Sequence, residues 1–309
     1  VLHSLGGPHA EAPPDVMTRR SERRRRCRLV AARATVLACV TTLALAAPAS
    51  AQTAVAHGPA DGAVPREDEL SRLAHQDLLR KAAAGGIDVY FAGDSIVRRW
   101  GATDYPELLA NWRTNFFGWN AADFGWGADR TEHILWRLRN GELDGVRPKA
   151  IVLLAGTNNV GDTVPPEGIE ARAADVAGGI KAILDVMRAK APGATIILTA
   201  IFPRNDNLAV MPTIDRINAA IAGFADGRRV RFLNLNAQLA DPRGELVEGV
   251  MHARDKLHPT VKGYQIWADA LKPILTELLG PAATIDHAPP PTGVPQVTPS
   301  RDQKGAASR

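Results

Sequence analysis

The sequence predicts an α/β fold, a three-layer α/β/α sandwich around a five-stranded, mostly parallel sheet. Five short apolar runs have the length and composition of strands that are buried on both faces. Segments with helical spacing of apolar residues separate these runs, and right-handed crossovers then place helices on both sides of the sheet. The predicted strands are 87–92, 121–124, 150–155, 194–200 and 230–235, and the predicted helices are 66–84, 96–110, 129–140, 167–190, 212–225 and 261–279.

The first 51 of the 309 residues have the pattern of a secretory signal peptide. Arginines cluster between positions 19 and 28, residues 29–47 are mostly apolar, and Ala49-Ser50-Ala51 is a small-residue cleavage pattern. We therefore expect a secreted or periplasmic protein that is cleaved near Ala51. Because the apolar run is long enough to span a bilayer, a membrane anchor is the less favoured alternative.

This leader changes what the charge of the chain implies. The whole chain has 37 Lys and Arg against 33 Asp and Glu, but residues 1–51 hold eight of the basic and three of the acidic side chains. The rest keeps 29 basic and 30 acidic residues, a net charge of −1. The basic balance is therefore no argument for a nucleic-acid partner, and none is expected. Both cysteines, Cys27 and Cys39, also lie in the leader, so the rest has no disulfide or Cys-based metal site.

Composition sets the remaining boundaries. Residues 52–65 are rich in Ala, Gly and Pro and are predicted to be a linker. Residues 281–309 carry a proline run and few large apolar side chains, which predicts a disordered tail. The globular part is then 66–280, a length that suits one domain burying roughly 70% of its unfolded surface.

The first strand ends in Gly93-Asp94-Ser95, and a helix can begin at Ile96. We expect Gly93 to allow a tight turn. Ser95 then lies between the carboxyl end of a strand and a helix N-terminus, where ligands bind in open α/β sheets and free N–H groups favour negative charge. Taken alone, these residues favour an N-cap role for Ser95. Three later stretches favour a nucleophile instead.

Two of those stretches follow the second and third strands. Asp123-Phe124-Gly125-Trp126-Gly127-Ala128 has small residues that let backbone N–H groups approach a ligand, and it lacks the third glycine of a dinucleotide fingerprint. Gly156-Thr157-Asn158-Asn159 can place an amide N–H over the same crevice. The composition of the latter stretch also suits an ordinary turn.

The last stretch is Asp255-Lys256-Leu257-His258, just before the final helix. A carboxylate three residues from an imidazole can hold its tautomer and leave the other ring nitrogen free as a base. The alternative is an Asp turn with a surface His. All four stretches belong at one edge of the sheet, and together they supply a nucleophile, a base, an orienting acid and N–H donors for acyl transfer. No Gly-x-Ser-x-Gly elbow is present, which disfavours the α/β-hydrolase fold.

These stretches resemble the blocks of the SGNH (GDSL) hydrolase family, with Gly93-Asp94-Ser95-Ile96 similar to its nucleophile block, Gly156-Thr157-Asn158-Asn159 to its Asn block and Asp255-x-x-His258 to its last block. Further likeness to its platelet-activating-factor acetylhydrolase branch runs through His133-Ile134-Leu135-Trp136-Arg137-Leu138 and Phe202-Pro203-Arg204. The resemblance covers residues 87–279 and implies the flavodoxin-like fold of SGNH hydrolases.

The resemblance also implies residue roles. Ser95 would be the nucleophile, His258 the base and Asp255 its orienter. The oxyanion hole would combine the Ser95 N–H, a backbone N–H at Ala128 or its neighbour Gly127, and the Asn158 side chain. The family usually has glycine where Ala128 stands, and a left-handed backbone there would cost an alanine about 1 kcal/mol or more.

In similar enzymes the positions of Ile96, Thr157 and Leu257 line the acyl pocket, and we add Trp126 because glycines flank it. These side chains predict short acyl groups, acetyl first. The expected protein is a secreted serine esterase acting on small-molecule, glycan or lipid esters, without a metal or other cofactor. An acyltransferase and a non-catalytic carbohydrate- or lipid-binding module are the alternatives, and a homodimer is left open.

Five of the six tryptophans lie between Trp100 and Trp136. Such a cluster can form a platform on which a sugar ring stacks. Packing in the core is the favoured interpretation, because indole rings contribute large apolar areas to folded domains.

Overall fold

The central sheet has five parallel strands in the order β2-β1-β3-β4-β5. It is seen in a computed structural model that describes residues 59–161 and 165–297. The leader predicted for residues 1–51, and residues 52–58 of the predicted linker, lie outside the described residues. The strands are β1 Val89–Gly93, β2 Ala121–Gly125, β3 Ala150–Leu154, β4 Thr195–Thr199 and β5 Val230–Leu233.

Helices connect these strands and cover the sheet. Within the described residues they are α1 Glu69–Ala84, α2 Ser95–Gly101, α3 Pro106–Phe116, α4 Thr131–Arg137, α5 Ile169–Lys190, α6 Met211–Ala222, α7 Asn236–Leu239 and α8 Val261–Leu279. A wide turn at Leu138–Glu142 follows α4. None of the helices in residues 59–161 and 165–297 combines the length and apolarity that crossing a membrane requires.

The side chains of the strands divide the core into two layers. Along β1, Tyr90 belongs to a core cluster that also contains residues of α1, α4, α5 and α6, whereas Phe91 belongs to a second cluster with residues of α2, α3 and α8. This alternation follows from the two-residue period of a strand. The predicted α/β/α sandwich is therefore confirmed, with a buried parallel sheet between two helical layers.

One predicted helix is two helices in the structure. The sequence predicts a helix over 96–110, but α2 ends at Gly101 and α3 begins at Pro106. A proline ring disfavours helical geometry at the preceding residue, and Tyr105 has φ −125° and ψ 71°. The prediction missed this break because the apolar spacing continues across it.

The C-terminal segment is held more firmly than its composition predicts. The prediction of disorder from residue 281 is wrong for residues 281–297. The Ala283 N–H donates to the Gly118 carbonyl at 2.9 Å, and the Thr103 N–H donates to the Thr292 carbonyl at 3.1 Å. Lys81 also donates to Thr292 Oγ1 at 2.8 Å. A segment with few large apolar groups cannot fold alone, but the domain supplies its hydrogen-bond partners.

The end of the predicted linker also contacts the domain. Ala60 is buried, and its N–H donates to Asp175 Oδ1 at 3.0 Å. Its carbonyl accepts a hydrogen bond from Thr131 Oγ1 at 2.9 Å. The ordered body therefore begins before position 66 and continues past position 280.

Candidate active site

Ser95 is the first residue of α2 and follows directly from the carboxyl end of β1. Asp94 caps the helix, because its Oδ1 accepts the Ile96 N–H at 2.8 Å. The N-cap role that the sequence favours for Ser95 therefore belongs to its neighbour. The half-buried Ser95 hydroxyl is left free for another partner.

Glycine is required next to Ser95 for space rather than for a turn. Gly93 does not have a positive φ. A Cβ built on Gly93 would lie 2.3 Å from Val97 Cγ2 and 2.4 Å from the Leu154 carbonyl oxygen. One on Gly125 would lie 2.3 Å from the Arg98 backbone nitrogen. The turn expected there is tight, with only Asp94 between β1 and α2, but it does not use a left-handed glycine, and both glycines let α2 pack closely against the strand ends.

The Ser95 hydroxyl meets the imidazole of His258. Ser95 Oγ lies 2.9 Å from His258 Nε2, and His258 Nδ1 lies 2.9 Å from Asp255 Oδ2. The other carboxylate oxygen of Asp255 accepts the backbone N–H groups of His258 at 3.0 Å and Leu257 at 3.1 Å. The structure thus joins the predicted hydroxyl, base and acid in one hydrogen-bonded chain, although 163 positions separate Ser95 from His258.

The electrostatics suit a base that is neutral at physiological pH. Burial lowers the pKa of His258 and the Arg99 cation lowers it further, while the bond to Asp255 opposes both. Burial by itself would raise the pKa of Asp255, but the two backbone N–H groups and the imidazole outweigh it and bring this pKa to about 2. Asp255 therefore stays charged while His258 titrates, and it can fix the tautomer that leaves Nε2 as the acceptor.

The 126–129 loop is tied to the strand that leads to Ser95. The Trp126 N–H donates to the Gly93 carbonyl at 3.2 Å, and Arg66 Nη1 donates to the Gly127 carbonyl at 3.1 Å. Ala128 has φ +60°, the left-handed conformation that suits glycine better. Within the described residues, the backbone N–H groups of Ser95 and Ala128 donate to no protein acceptor. Both remain available to a ligand.

Asn158 is attached to the same loop. Its Nδ2 donates one hydrogen to the Asp129 carbonyl at 2.8 Å, which leaves the second amide hydrogen for a ligand. The Asn159 N–H closes a turn onto the Gly156 carbonyl at 2.9 Å, so the alternative of a turn is also correct. One segment therefore forms a turn and presents an oriented amide.

The residues predicted for the acyl pocket are spread over different environments. Ile96 is 1% exposed and belongs to the core layer that contains α8. Thr157 is 1% exposed, and its carbonyl accepts a hydrogen bond from Arg204 at 3.1 Å. Leu257 is half-buried and directly precedes His258 in the chain, and Trp126 faces a cavity next to α1. Their role in selecting the acyl group stays a prediction.

A buried charged network behind the 126–129 loop was not predicted. Arg137 of α4 donates to Asp129 Oδ2 at 2.7 Å, to the Phe124 carbonyl at 3.0 Å and to the Gly93 carbonyl at 3.3 Å. It also pairs with Glu142, whose other oxygen lies 2.7 Å from His75 Nδ1. The available signal was a single arginine within the apolar stretch His133-Ile134-Leu135-Trp136-Arg137-Leu138. Its partners come from other strands and turns, which periodicity does not reveal.

Two carboxyl groups near this network favour the protonated form more than usual. Burial raises the pKa of Asp94 to about 7, and the nearby charge of Asp129 adds to this effect. Burial also raises the pKa of Asp129 to about 6, against the opposing influence of Arg137. The donor side of the site is therefore a low-dielectric region in which charges depend on specific partners.

The fold and these groups together define a carboxylic ester hydrolase with the α/β/α sandwich of SGNH enzymes. A family model described as the GDSL-like Lipase/Acylhydrolase family matches residues 91–266, and the chain belongs to this family.

Curated relatives agree with this membership. The platelet-activating factor acetylhydrolase IB subunit alpha1 of Bos taurus is 34% identical over 197 residues, which cover 62% of this chain and 76% of that protein. The subunit alpha2 of the same organism is also 34% identical, with 62% and 77% covered. A solved GDSL-like lipase from Bacteroides thetaiotaomicron shares the fold with a TM-score of 0.51 and 20% identity, covering 67% of this chain and 100% of that one.

Proposed function

We propose that the chain hydrolyses short-chain, acetyl-like carboxylic esters through an acyl-enzyme formed on Ser95. The observation that carries this proposal is the continuous hydrogen-bonded chain from Ser95 Oγ through His258 to Asp255, with both links at 2.9 Å. A nucleophile, a base and an orienter of the base in hydrogen-bond reach are the arrangement that acyl transfer requires.

In the first step, Ser95 Oγ attacks the ester carbonyl carbon while His258 Nε2 takes the hydroxyl proton. The carbonyl oxygen becomes an oxyanion, which accepts hydrogen bonds from the Ser95 N–H, the Ala128 N–H and the free amide hydrogen of Asn158. The imidazolium is stabilised by the Asp255 carboxylate. It then returns the proton to the leaving alkoxide as the ester C–O bond breaks, so that an alcohol departs and an acyl-enzyme remains.

In the second step, water replaces the alcohol. His258 removes a proton from a water molecule as its oxygen attacks the acyl carbon. The second tetrahedral intermediate collapses, the carboxylic acid leaves, and Ser95 regains its proton from His258. Ser95 is partly exposed, which is consistent with attack on a small ester that reaches it from solvent.

The acetyl-like substrate rests on two supports. The family resemblance assigns Ile96, Thr157 and Leu257 to the acyl pocket, where side chains of this size would favour a short acyl group. The curated relatives in cattle are named as acetylhydrolase subunits.

The test is covalent labelling followed by a substrate series. A fluorophosphonate probe should modify Ser95 in the full chain, as peptide mass mapping would show, and Ser95→Ala should abolish both labelling and turnover while the protein remains folded. Among p-nitrophenyl esters, kcat/KM should be highest for acetate. Labelling at another residue would refute the nucleophile, and a maximum at octanoate or longer would refute the acyl preference.

We also propose that the protein is exported through the leader predicted in residues 1–51. The support is the basic region, the apolar run and the Ala49-Ser50-Ala51 pattern in the sequence. Expression in a bacterial host should yield periplasmic or secreted protein whose N-terminus lies close to Gln52. An intact leader on the recovered protein would contradict cleavage.

A further inference from the structure

A cavity of about 430 Å³ lies beside the 126–128 loop, with its wall formed by residues of α1, the segment before it and α4. Its volume falls within the range of small-molecule binding sites. None of Ser95, Asn158, Asp255 and His258 lines it. Trp126 does, so the cavity and the candidate active site share one loop as a wall.

Two indole rings face this cavity. Trp126 and Trp136 are half-buried, whereas Trp100, Trp112, Trp119 and Trp267 are buried in the core. The core packing predicted for the five tryptophans between Trp100 and Trp136 is therefore correct for Trp100, Trp112 and Trp119, and the remaining two are different. Half-exposed indoles in a concave wall present an apolar surface to any ligand that enters.

Both half-buried rings are held in place before any ligand arrives. Trp126 Nε1 donates to Ser71 Oγ at 2.7 Å, and the Arg98 guanidinium lies 4.9 Å from its ring centroid. The ring of Trp136 lies 4.9 Å from that of His75, which is bonded to Glu142. Rings that are already oriented lose little entropy on binding, which favours a binding site over incidental exposure.

The rim of the cavity adds unused hydrogen-bonding groups. Glu67, Arg72 and Gln76 line it and are exposed, and within the described residues their side chains have no hydrogen-bond or ion-pair partner. The charges of Glu67 and Arg72 offset each other. Arg66 is paired with Asp68, and Arg137 is fully occupied by its buried partners. The wall therefore has apolar ring surfaces, several planar polar groups and no surplus charge.

We propose that this cavity is a carbohydrate-binding subsite that holds a neutral sugar ring of a glycan. A pyranose has an apolar C–H face that packs on indole rings and hydroxyl groups at its edge that can bond to Glu67, Arg72 and Gln76. A trimethylammonium group would find no net negative charge on this wall, because the lining carboxylate of Glu67 is offset by Arg72. An alkyl chain would bury polar rim groups without giving them partners, which costs free energy.

The shared loop connects this subsite with the esterase chemistry. Arg66 lines the cavity and donates to the Gly127 carbonyl, one residue before the Ala128 N–H. A glycan held on Trp126 is thus kept next to the loop that serves Ser95. This use of the subsite rests on the proposed function, but sugar binding itself does not, so the two can fail separately.

The test is a titration of the full chain with three unesterified neutral tetrasaccharides, namely xylotetraose, cellotetraose and maltotetraose. Binding is measured by calorimetry and by tryptophan fluorescence. At least one should bind saturably and change the fluorescence. Trp136→Ala should weaken that binding at least tenfold, and Arg72→Ala and Gln76→Ala should each weaken it severalfold. The matched control is Arg80→Ala, an exposed arginine on the same helix that does not line the cavity, which should leave the affinity unchanged.

Competition with phosphocholine distinguishes a sugar site from a site for a trimethylammonium group. Phosphocholine should not displace the sugar. The proposal is overturned if none of the three tetrasaccharides binds saturably, if phosphocholine binds while the sugars do not, or if the cavity variants bind as well as Arg80→Ala. Circular dichroism of Trp136→Ala checks its folding, and should that variant not fold, the exposed Arg72 and Gln76 variants decide the outcome. Absence of Ser95 labelling would count against the proposed hydrolysis and not against sugar binding.

Discussion

Two loops meet at the candidate active site, the one that carries Asp255 and His258 and the 126–129 loop that carries the proposed backbone donor, and they are held in different ways. The Asp255 side chain is 37% exposed, and its loop is closed mainly by its own hydrogen bonds. Behind the donor loop, Asp129 is fully buried and the Arg137 side chain is 6% exposed. The base side has a buried imidazole but a partly exposed carboxylate and is held locally, whereas the donor side is buried and tied to distant residues.

This difference follows from what each side has to do. A general base exchanges protons with solvent in every cycle, so its carboxylate partner can remain partly hydrated. Oxyanion donors act only if they do not have to reorient when charge develops, which favours a rigid, low-dielectric support. We therefore expect substitutions on the donor side to act mainly on the free energy of unfolding. Substitutions on the base side should act mainly on the pH dependence of kcat/KM.

The largest expected effect comes from removing the cation of the buried network. Arg137→Met leaves Asp129 and Glu142 buried without their partner, and loss of one member of a buried ion pair typically costs about 3–5 kcal/mol. We expect urea unfolding to show a loss of that order, together with slower fluorophosphonate labelling of Ser95. Arg80→Met, which breaks the exposed pair with Asp77, should change little. Equal effects of the two variants would show that the buried network contributes no more to stability than an exposed ion pair does.

The next effect separates a donor from its structural neighbour. Asn158→Ala removes the amide proposed for the oxyanion and should lower kcat by roughly 10²–10³ with little change in KM. Asn159→Ala instead removes bonds to Thr131 and Glu132, at 2.9 Å and 2.8 Å. It should lower stability by about 1–3 kcal/mol and leave a milder effect on kcat. Steady-state kinetics and urea unfolding measure both effects. If Asn159→Ala lowered kcat and Asn158→Ala lowered stability instead, the assignment of the oxyanion amide to Asn158 would be wrong.

A smaller effect tests the strain in the donor loop. Ala128→Gly should stabilise the protein by up to about 1 kcal/mol, because glycine accepts φ +60° without a Cβ clash although it adds unfolded-state entropy. The same substitution at the exposed Ala110 of α3 should be destabilising by roughly 0.5–1 kcal/mol. Thermal unfolding would measure both. Destabilisation by both substitutions would show that Ala128 is not strained.

The smallest effect concerns the base. His258 must be neutral to accept the Ser95 proton, and its pKa lies below the ordinary 6.5, so kcat/KM should fall only as pH drops below that value. Arg99→Ala removes a cation that lowers this pKa and also frees Asp255 from its contact at 3.4 Å. Both changes favour the imidazolium, so the acid limb should move to higher pH.

A pH–rate profile of a p-nitrophenyl acetate reaction measures that limb. Arg113→Ala, an exposed arginine on α3, is the control and should leave the limb in place. High salt should reduce the difference between Arg99→Ala and the unmodified chain, since partly exposed charges are screened. A limb that moves to lower pH in Arg99→Ala would contradict this electrostatic account.

Much of the fold follows from local pattern. The final helix is predicted at 261–279 and observed at Val261–Leu279, and each predicted strand overlaps an observed one. Apolar periodicity reports burial on one or both faces, which is why these elements are accessible from sequence. The break before Pro106 and the position of the segment after 280 were missed, because the first is hidden by continuous apolar spacing and the second depends on partners elsewhere in the chain.

The sequence by itself determined the layered α/β architecture and nominated Ser95, Asn158, Asp255 and His258, since short local patterns carry both the strand ends and the chemical groups. Only the tertiary structure decided that Asp94 caps the helix in place of Ser95, that Gly93 is needed for space, that Ala128 adopts a left-handed backbone, and that Arg137 anchors the donor loop. These outcomes depend on contacts between residues far apart in the chain. Such contacts exist only once the sheet has brought its carboxyl ends and the surrounding helices together.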